Sequence, residues 1–274
     1  MEIKGPNLVK GINLEGLRII GKPDFFSKLY YEENIDEIFF QDTVASLYGR
    51  NNLKNIISQV SKNIFVPLIV GGGLKSIKDI KIVLESGADK VCINSEAIKN
   101  IDFIKTSVKE FGSSTITAEI QIQKKNDGKY YCFYENGRQE TNLDPITWAC
   151  TLQDNGVGEI ALTFVNFDGT GKGFDLTFVS QLRNKLNIPL IVSGGIGNKE
   201  QVLKAFQLDI DGVLIASAFH YFYLYNNYEN IKKEIFSEGN LEFLKNLDKK
   251  ILENTFSIDT LKKFLKTNNI NCAQ

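Results

Sequence analysis

The chain has 274 residues, of which 43% are hydrophobic and 24% are charged, values typical of a globular protein. Its 32 Lys and Arg nearly balance its 33 Asp and Glu, giving a formal net charge of -1. This balance excludes the broad positive field of nonspecific nucleic-acid binding, so we expect no nucleic-acid partner. The apolar runs fall far short of the roughly 20 residues that a membrane-spanning helix needs, and the first residues lack the order of a secretory signal. We therefore expect a cytoplasmic protein with no membrane partner.

From about residue 35 the chain alternates short β-branched segments with longer amphipathic ones. In chain order, we expect a strand at 38–40, a helix at 52–62, a strand at 65–70, a helix at 76–85 and a strand at 91–93. Ser76 precedes the apolar stripe of its helix as an N-cap, and Gly87 follows that stripe as a stop signal. The βαβα order predicts a parallel sheet.

An internal repeat distinguishes among the parallel-sheet folds. The sequence Val-Pro-Leu-Ile-Val-Gly-Gly-Gly at 66–73 recurs as Ile-Pro-Leu-Ile-Val-Ser-Gly-Gly at 188–195, an offset of 122 residues (189 minus 67 for the prolines). The same offset relates Asp89 to Asp211. Such a unit holds about four βα pairs, so two units predict an α/β fold of the (β/α)8 TIM barrel type, built from two half-barrel repeats as a single domain at 1–274. An open doubly wound sheet is the alternative, but it gives no reason for the duplication.

Two pairs of glycines follow equivalent predicted strands in the two halves, Gly72–Gly73 and Gly194–Gly195. Glycine lets the backbone approach a ligand, and the N-terminus of the following helix presents free N–H groups to an anion. Each pair alone is equally compatible with a tight turn. The next strand of each half ends in a further pair of small residues, Asn94–Ser95 and Ala216–Ser217, which supply more hydrogen-bond donors. Two equivalent anion sites predict a ligand with a phosphate at each end.

Acidic residues at strand ends are candidates for proton transfer. Asp42 follows the first predicted strand, and Asp168 precedes Gly169 after a second apolar run, although the Asp-Gly pair is also compatible with a capped turn. His220, the only histidine, lies beside aromatic residues, which favours packing over catalysis. Since no His, Cys and carboxylate cluster has the spacing of metal ligands, we predict neither a metal nor a cofactor.

Seven motifs, taken together, resemble those of the cyclase subunit of imidazole glycerol phosphate synthase. They lie at 9–18, 70–73, 87–94, 158–160, 168–170, 193–195 and 216–220, and the similarity runs from residue 1 to about 222 and resumes at 257–271. The resemblance implies a barrel that binds an aminoimidazole-carboxamide ribonucleotide with two phosphates. It also implies a glutaminase partner, whose ammonia is used to form imidazole glycerol phosphate and an aminoimidazole-carboxamide ribotide. The resemblance assigns phosphate binding to the two glycine turns, to the small residues that end the next strands and to one further turn: Gly72–Gly73, Gly194–Gly195, Asn94–Ser95, Ala216–Ser217 and Asp168–Gly169. It assigns other substrate contacts to Lys10 and Asp42.

Both catalytic aspartates of that family are replaced in this chain, by Glu2 and Gln121. Glu2 keeps a carboxylate on a longer side chain, whereas Gln121 can hold a substrate by hydrogen bonds but cannot exchange a proton at neutral pH. If the chain is such a cyclase, we expect Glu2 and Asp168 to share the acid and base work. We expect Glu119 to point away from the side of Gln121 and to be a poor substitute.

Three charged residues at predicted strand starts, Glu37, Lys90 and Glu159, match the family's ammonia gate at the base of the barrel. A plain ion-pair cluster that closes the barrel is the alternative. The family's first strand and a further basic gate residue have no counterpart before Glu2, so we expect a gap that an upstream segment or another part of the chain fills.

The segment 221–256 is inserted after the eighth predicted strand, where the family continues almost directly into its last helix, here 257–265. Apolar residues at roughly helical spacing predict one or two extra helices. We expect them over the C-terminal face of the barrel, as a lid, as a protein contact surface or as decoration without a role.

Three functions remain open from the sequence. The first is the cyclase subunit of imidazole glycerol phosphate synthase, and the second is a paralogue that acts with a glutaminase to supply ammonia for amidination of a surface sugar. The third is a noncatalytic bisphosphate-binding barrel. Gln121 favours the second and third, but the two phosphate sites favour the first, which we adopt.

Overall fold

The computed structural model describes residues 1–45, 53–235 and 253–272. The strands are β1 (Glu2–Lys4), β2 (Asn7–Ile12), β3 (Glu15–Gly21), β4 (Ile38–Asp42), β5 (Leu68–Gly71), β6 (Lys90–Ile93), β7 (Ile116–Lys124), β8 (Tyr130–Tyr134), β9 (Gln139–Glu140), β10 (Glu159–Phe164), β11 (Leu190–Ser193) and β12 (Gly212–Leu214). The helices are α1 (Pro23–Glu32), α2 (Lys54–Val60), α3 (Ile77–Glu85), α4 (Ser95–Lys99), α5 (Ile101–Phe111), α6 (Pro145–Asp154), α7 (Leu176–Arg183), α8 (Lys199–Phe206), α9 (Ser217–Asn226), α10 (Tyr228–Ile235) and α11 (Ile258–Thr267).

Eight of the strands run parallel, in the order β1, β4, β5, β6, β7, β10, β11 and β12. Helices follow these strands, and β5 and β10 are buried along their whole length, as parallel strands covered on both faces should be. The α/β class and the TIM-barrel arrangement predicted from the sequence are confirmed. Within the described residues, no hydrogen-bonded ladder joins β1 to β12, which is where we expected a gap.

The half-barrel repeat is visible in both the elements and their hydrogen bonds. Three helices of the first half, α2, α3 and α4, begin at residues 54, 77 and 95, and their counterparts α7, α8 and α9 begin at 176, 199 and 217, each 122 residues later. An Oδ2 of Asp89 accepts a hydrogen bond from the Leu68 N–H at 2.8 Å, and Asp211 accepts the same bond from Leu190 at 2.8 Å. The two halves therefore share one design.

Capping residues begin two equivalent helices of the half-barrels, α3 and α8. The Ser76 Oγ accepts from the Asp79 N–H at 3.2 Å at the start of α3, and the Asn198 Oδ1 accepts from the Gln201 N–H at 2.9 Å at the start of α8. Each cap satisfies one of the N–H groups that a helix start leaves without a partner. The predicted helix at 76–85 is confirmed, and that at 52–62 is seen as α2, with residue 52 outside the described part.

Two antiparallel additions were absent from the sequence prediction. The hairpin β2–β3 pairs with β1, and β8–β9 pairs with the far end of β7, where Gln121 lies opposite Phe133. β7 has nine residues and extends beyond its four-residue neighbour β6. Both hairpins lie at the carboxyl ends of parallel strands, where they carry Lys10 and Asn136 toward the mouth of the barrel.

Part of the segment 221–256 is helical, in α9 and α10, and residues 236–252 lie outside the described residues. α10 contacts β3, and Asn254 lies against Gly171 in the loop after β10. Both ends of the segment thus lie near loops at the carboxyl ends of strands. Over the ranges that are described, no helix is both long and apolar enough to cross a membrane.

Candidate active site

Two cavities lie at the carboxyl ends of the parallel strands. The central cavity, about 130 Å³ in volume, is lined by Glu2, Glu119 and Asp168 and extends to Glu37 at the start of β4. A smaller cavity of about 30 Å³ lies at the turn after β5 and is lined by residues that include Gly72, Gly73, Asn94 and Ser95. The side chains that line both cavities are Gln41, Gln121 and Asn136.

Lys10 joins the two carboxylates that the sequence predicted to be catalytic. Its Nζ donates to the Asp168 Oδ2 at 2.6 Å and to the Glu2 Oε1, and the residue is only 1% exposed. Burial opposes the charge of Lys10, but the attraction of Glu2 and then of Asp168 outweighs it and raises the pKa of the lysine above its ordinary value. Burial raises the pKa of Glu2, while Lys10 acts in the opposite direction. The predicted acid and base are thus held in one buried ion-paired cluster.

Both polar atoms of the Gln121 side-chain amide form hydrogen bonds within the protein. Its Nε2 donates to the Glu119 Oε2 at 3.1 Å, and its Oε1 accepts from the Gly137 N–H at 2.8 Å. The expectation that Glu119 faces away from Gln121 is therefore wrong. Residues two apart on a strand share a face, so the period-two rule itself predicts this contact.

Glu119 is a buried carboxylate that sequence reasoning failed to select. Its Oε1 accepts from the Thr163 hydroxyl at 3.1 Å, and the Gln41 Nε2 lies 3.5 Å from its Oε2. Burial raises its pKa to about 7, although the hydrogen bonds from Gln121 and Thr163 act to lower it. The signal that identifies it is its position on the same face of β7 as Gln121, which also lines the cavity.

Close backbone packing requires glycine in both of these turns. Gly72 and Gly194 have φ angles of 103° and 101°, and a Cβ at either would lie 2.5 Å from the backbone oxygen of Asp42 or Phe164, respectively. Since Asp42 and Phe164 are themselves 122 residues apart, the two halves make the same close approach. A Cβ on Gly195 would also lie 2.3 Å from the Gly173 oxygen. These contacts explain why glycine is required, and phosphate binding there stays a prediction.

The remaining predicted ligand residues follow the same strands. Ser95 accepts from the Glu135 N–H at 3.0 Å, while the buried Oδ1 of Asn94 has no hydrogen-bond partner among the described residues. Ala216 lines the central cavity and Ser217 begins α9. Asp42 accepts from two backbone N–H groups of its own loop, and burial raises its pKa despite those bonds.

Comparison with known proteins identifies the family. Residues 1–224 match the family described as histidine biosynthesis protein. The chain belongs to this family. It is 44% identical over 201 residues to the imidazole glycerol phosphate synthase subunit HisF of Legionella pneumophila, which covers 73% of this chain and 95% of that protein. It is 40% identical over 222 residues to the proteins of the same name from Petrotoga mobilis and a Hydrogenobaculum species, covering 81% of this chain and 88% of each.

The resemblance drawn from the motifs is thereby confirmed. In this member of the histidine biosynthesis family, the predicted gate residues meet at the base of the barrel, where Lys90 Nζ lies 3.3 Å from both Glu37 Oε1 and Glu159 Oε2. The Thr117 hydroxyl donates to the other oxygen of Glu159 at 2.9 Å. Burial raises the pKa of Glu37, and Lys90 opposes that shift. Because Glu37 also lines the central cavity, this ion-pair cluster adjoins the interior of the barrel.

His220 packs in the core, as its aromatic neighbours predicted. The residue is 1% exposed, its Nδ1 is hydrogen-bonded to the Tyr30 hydroxyl, and its ring contacts Phe26 edge-on. Burial lowers its pKa well below the ordinary value, so the ring is neutral. The described parts of this family member contain no group of three or more His, Cys, Asp or Glu side chains that would hold a metal ion.

Proposed function

We propose that this histidine biosynthesis family member is the cyclase subunit of an imidazole glycerol phosphate synthase. With ammonia, it converts an aminoimidazole-carboxamide bisphosphate ribonucleotide to imidazole glycerol phosphate and an aminoimidazole-carboxamide ribotide. The observation that carries the proposal is the 44% identity to a relative named imidazole glycerol phosphate synthase subunit HisF, 95% of which is covered.

The two halves of the barrel supply one site for each phosphate of the substrate. One phosphate is bound after β5 and β6 by Gly72–Gly73 and Asn94–Ser95, which line the smaller cavity. The other is bound by backbone N–H groups of Gly169, Gly194–Gly195 and Ala216–Ser217, at the matching strand ends of the second half, while the Asp168 carboxylate stays bound to Lys10. A substrate that joins the two sites crosses the central cavity between them and contacts Lys10 and Asp42.

Ammonia reaches this cavity from the base of the barrel. A glutaminase subunit docks around Glu37, Lys90 and Glu159 to form a heterodimer, and ammonia passes the ion-paired cluster into the cavity that Glu37 lines. The described ends of the segment 221–256 lie near the opposite face. The described parts of the segment, α10 and Asn254, therefore leave the base free for the partner.

Glu2 and Asp168 act on the reacting part of the substrate together with Lys10. Both carboxylates contact the buried ammonium group of Lys10, which opposes the rise that burial causes in the pKa of Glu2. The cluster stabilises positive charge that develops on a substrate nitrogen.

The direct test is a steady-state assay of the purified chain with the bisphosphate substrate and a high concentration of ammonium, which replaces the glutaminase. We expect formation of both products, loss of turnover in Glu2→Ala, and full activity in Glu85→Gln, which changes a side chain that is 65% exposed on α3. Absence of turnover in the unmodified chain would contradict the cyclase proposal.

The presence of Gln121 in place of a catalytic carboxylate favours a second candidate function. A carboxamide cannot exchange a proton at neutral pH, whereas the gate cluster and the central cavity need no such group to conduct ammonia. The second candidate is therefore a barrel that delivers glutaminase-derived ammonia for amidination of a sugar. It predicts no turnover of the bisphosphate together with stable binding of a glutaminase, and a barrel with neither property would be a noncatalytic binding protein.

A further inference from the structure

One carboxylate in the central cavity differs from the others in its partners. Glu2 and Asp168 are both ion-paired to Lys10, and Glu37 is ion-paired to Lys90. Glu119 makes no ion pair with a lysine or arginine of the described residues, and the groups that contact its oxygens are neutral amides and a hydroxyl. It is thus the cavity carboxylate whose charge is left unneutralised.

We propose that Glu119 is the proton-transfer residue of the barrel, exchanging a proton with the nitrogen-bearing substrate bound in the central cavity. The proposal rests on the proposed function, because it assigns a role within that reaction. Gln121 occupies the position of the family's second catalytic carboxylate. In this assignment Glu119, which lies on the same face of β7, takes over the role of that carboxylate.

The position of the side chain supports this role. Glu119 is 7% exposed and lines the cavity that Glu2 and Asp168 also line. Gln121 from β7 and Thr163 from β10 donate to different oxygens of the carboxylate, which fixes its orientation. A carboxyl group held in this way is preorganised for proton transfer, with no need to change rotamer.

The surroundings of Glu119 keep both of its protonation states accessible. The titratable groups that face it are Asp168 and Glu2 across the cavity and Cys92 on the adjacent β6. Lys10 lies beyond the two carboxylates and is bound to both. Burial raises the pKa of Glu119 to about 7, and the charges of Asp168 and Glu2 act in the same direction. A general acid and base works best when its pKa is close to the working pH.

The proton path balances without any other reactant. After ammonia has added to a substrate carbonyl carbon, the ionised carboxylate accepts a proton from the new nitrogen. The same proton then passes to the hydroxyl on that carbon. The C–O bond breaks, the hydroxyl leaves as water and a C=N bond remains. Glu119 ends the step in the ionised form in which it began.

The test compares Glu119→Gln with the unmodified chain in the ammonium-supported assay over pH 5–9. We expect kcat to fall by about a hundredfold or more, the usual contribution of a general acid or base, with KM changed less than threefold. The limb of the pH–rate profile near pH 7 should disappear. Glu85→Gln is the surface control, and Thr163→Val, which removes one orienting hydrogen bond, should lower kcat less while keeping the limb.

A second measurement separates failure of this proposal from failure of the proposed function. Infrared difference spectra of the free chain should record one carboxyl group that titrates near pH 7 and is absent in Glu119→Gln. Turnover retained in Glu119→Gln would overturn the assignment. If the unmodified chain has no turnover, the cyclase proposal fails. The spectra then test separately whether Glu119 exchanges a proton. A Glu119 carboxyl group that stays ionised throughout pH 5–9 would overturn its assignment as the proton-transfer residue.

Discussion

Lys10 and Asp168 lie 158 residues apart in the chain, and the lysine Nζ donates to the Asp168 Oδ2 at 2.6 Å in the interior of the barrel. The Asn13 N–H donates to the backbone oxygen of Asp168 at 2.9 Å. Together these bonds fasten the β2–β3 hairpin to the end of β10. The hairpin that covers one side of the mouth is therefore held by a buried charge, and its position depends on that charge.

Replacing Lys10 with methionine should lower the free energy of unfolding by about 3–5 kcal/mol, because it leaves two buried carboxylates without their cation. Loss of Lys10 removes the charge that opposes the rise that burial causes in the pKa of Glu2, so this pKa moves further above its unfolded value. The destabilisation should be larger at pH 8, where folding forces Glu2 to be ionised, than at pH 5. Urea denaturation at the two pH values measures the effect. Lys4→Met, at an exposed position of β1, is the control, and an equal loss at both pH values would contradict the argument.

Glu119 should make the protein less stable as the pH rises. Its pKa is raised from 4.5 to about 7 in the folded state, so the folded state binds its proton more tightly than the unfolded state. Stability from this group is fully present below pH 4.5 and is lost between there and pH 7, by an upper limit of about 3 kcal/mol. The difference in unfolding free energy between the unmodified chain and Glu119→Gln isolates this slope. A difference that stays constant from pH 5 to pH 8 would show that Glu119 has an ordinary pKa.

His220 should act in the opposite direction. Burial holds its folded-state pKa well below 6.5, so protonation favours the unfolded chain, and stability is lost as the pH falls below 6.5. His220→Phe keeps a ring in the aromatic cluster and removes this dependence, although it leaves the Tyr30 hydroxyl without its partner. Thermal or urea unfolding between pH 5 and pH 8 should give a flatter acid limb for the variant. A limb of unchanged steepness would refute the prediction.

Asp89 and Asp211 should both contribute to stability, because each accepts a hydrogen bond from a strand N–H at 2.8 Å in its own half-barrel. Asp211 also accepts from Arg183 Nη1 at 3.3 Å and should contribute slightly more. Changing either to alanine leaves a buried strand N–H without its acceptor and should cost about 1–3 kcal/mol. The double variant should lose the sum of the two, since the sites are distant. Asp154→Ala, at the exposed end of α6, is the control for loss of a surface carboxylate. A larger loss for Asp89→Ala than for Asp211→Ala would contradict the prediction that the two bonds contribute alike.

The fold was predictable because its signal is repeated. The offset of 122 residues fixed the half-barrel, and α3 begins after the Ser76 cap where the apolar stripe predicted it. The β8–β9 hairpin was not predicted, since its strands are short and their pairing depends on how far β7 extends past its neighbours. That extension is set by tertiary packing, which local patterns do not record.

The candidate site was predictable only in part. Motifs located the strand ends, and these carry Glu2, Asp168 and Gln121 to one cavity. Motif comparison could not identify Lys10 as the cation that joins two carboxylates, because its partners lie on β1 and after β10. Glu119 was missed through a wrong assignment of its face rather than through a weak signal.

Three amide residues, Gln41, Gln121 and Asn136, line both cavities. Asn136 donates to the Leu14 oxygen at 3.3 Å and Gln41 lies 3.5 Å from Glu119, so both hydrogen bonds are long. A ligand that occupies both cavities therefore passes three amides, whose N–H and C=O groups offer it both donors and acceptors without adding any charge.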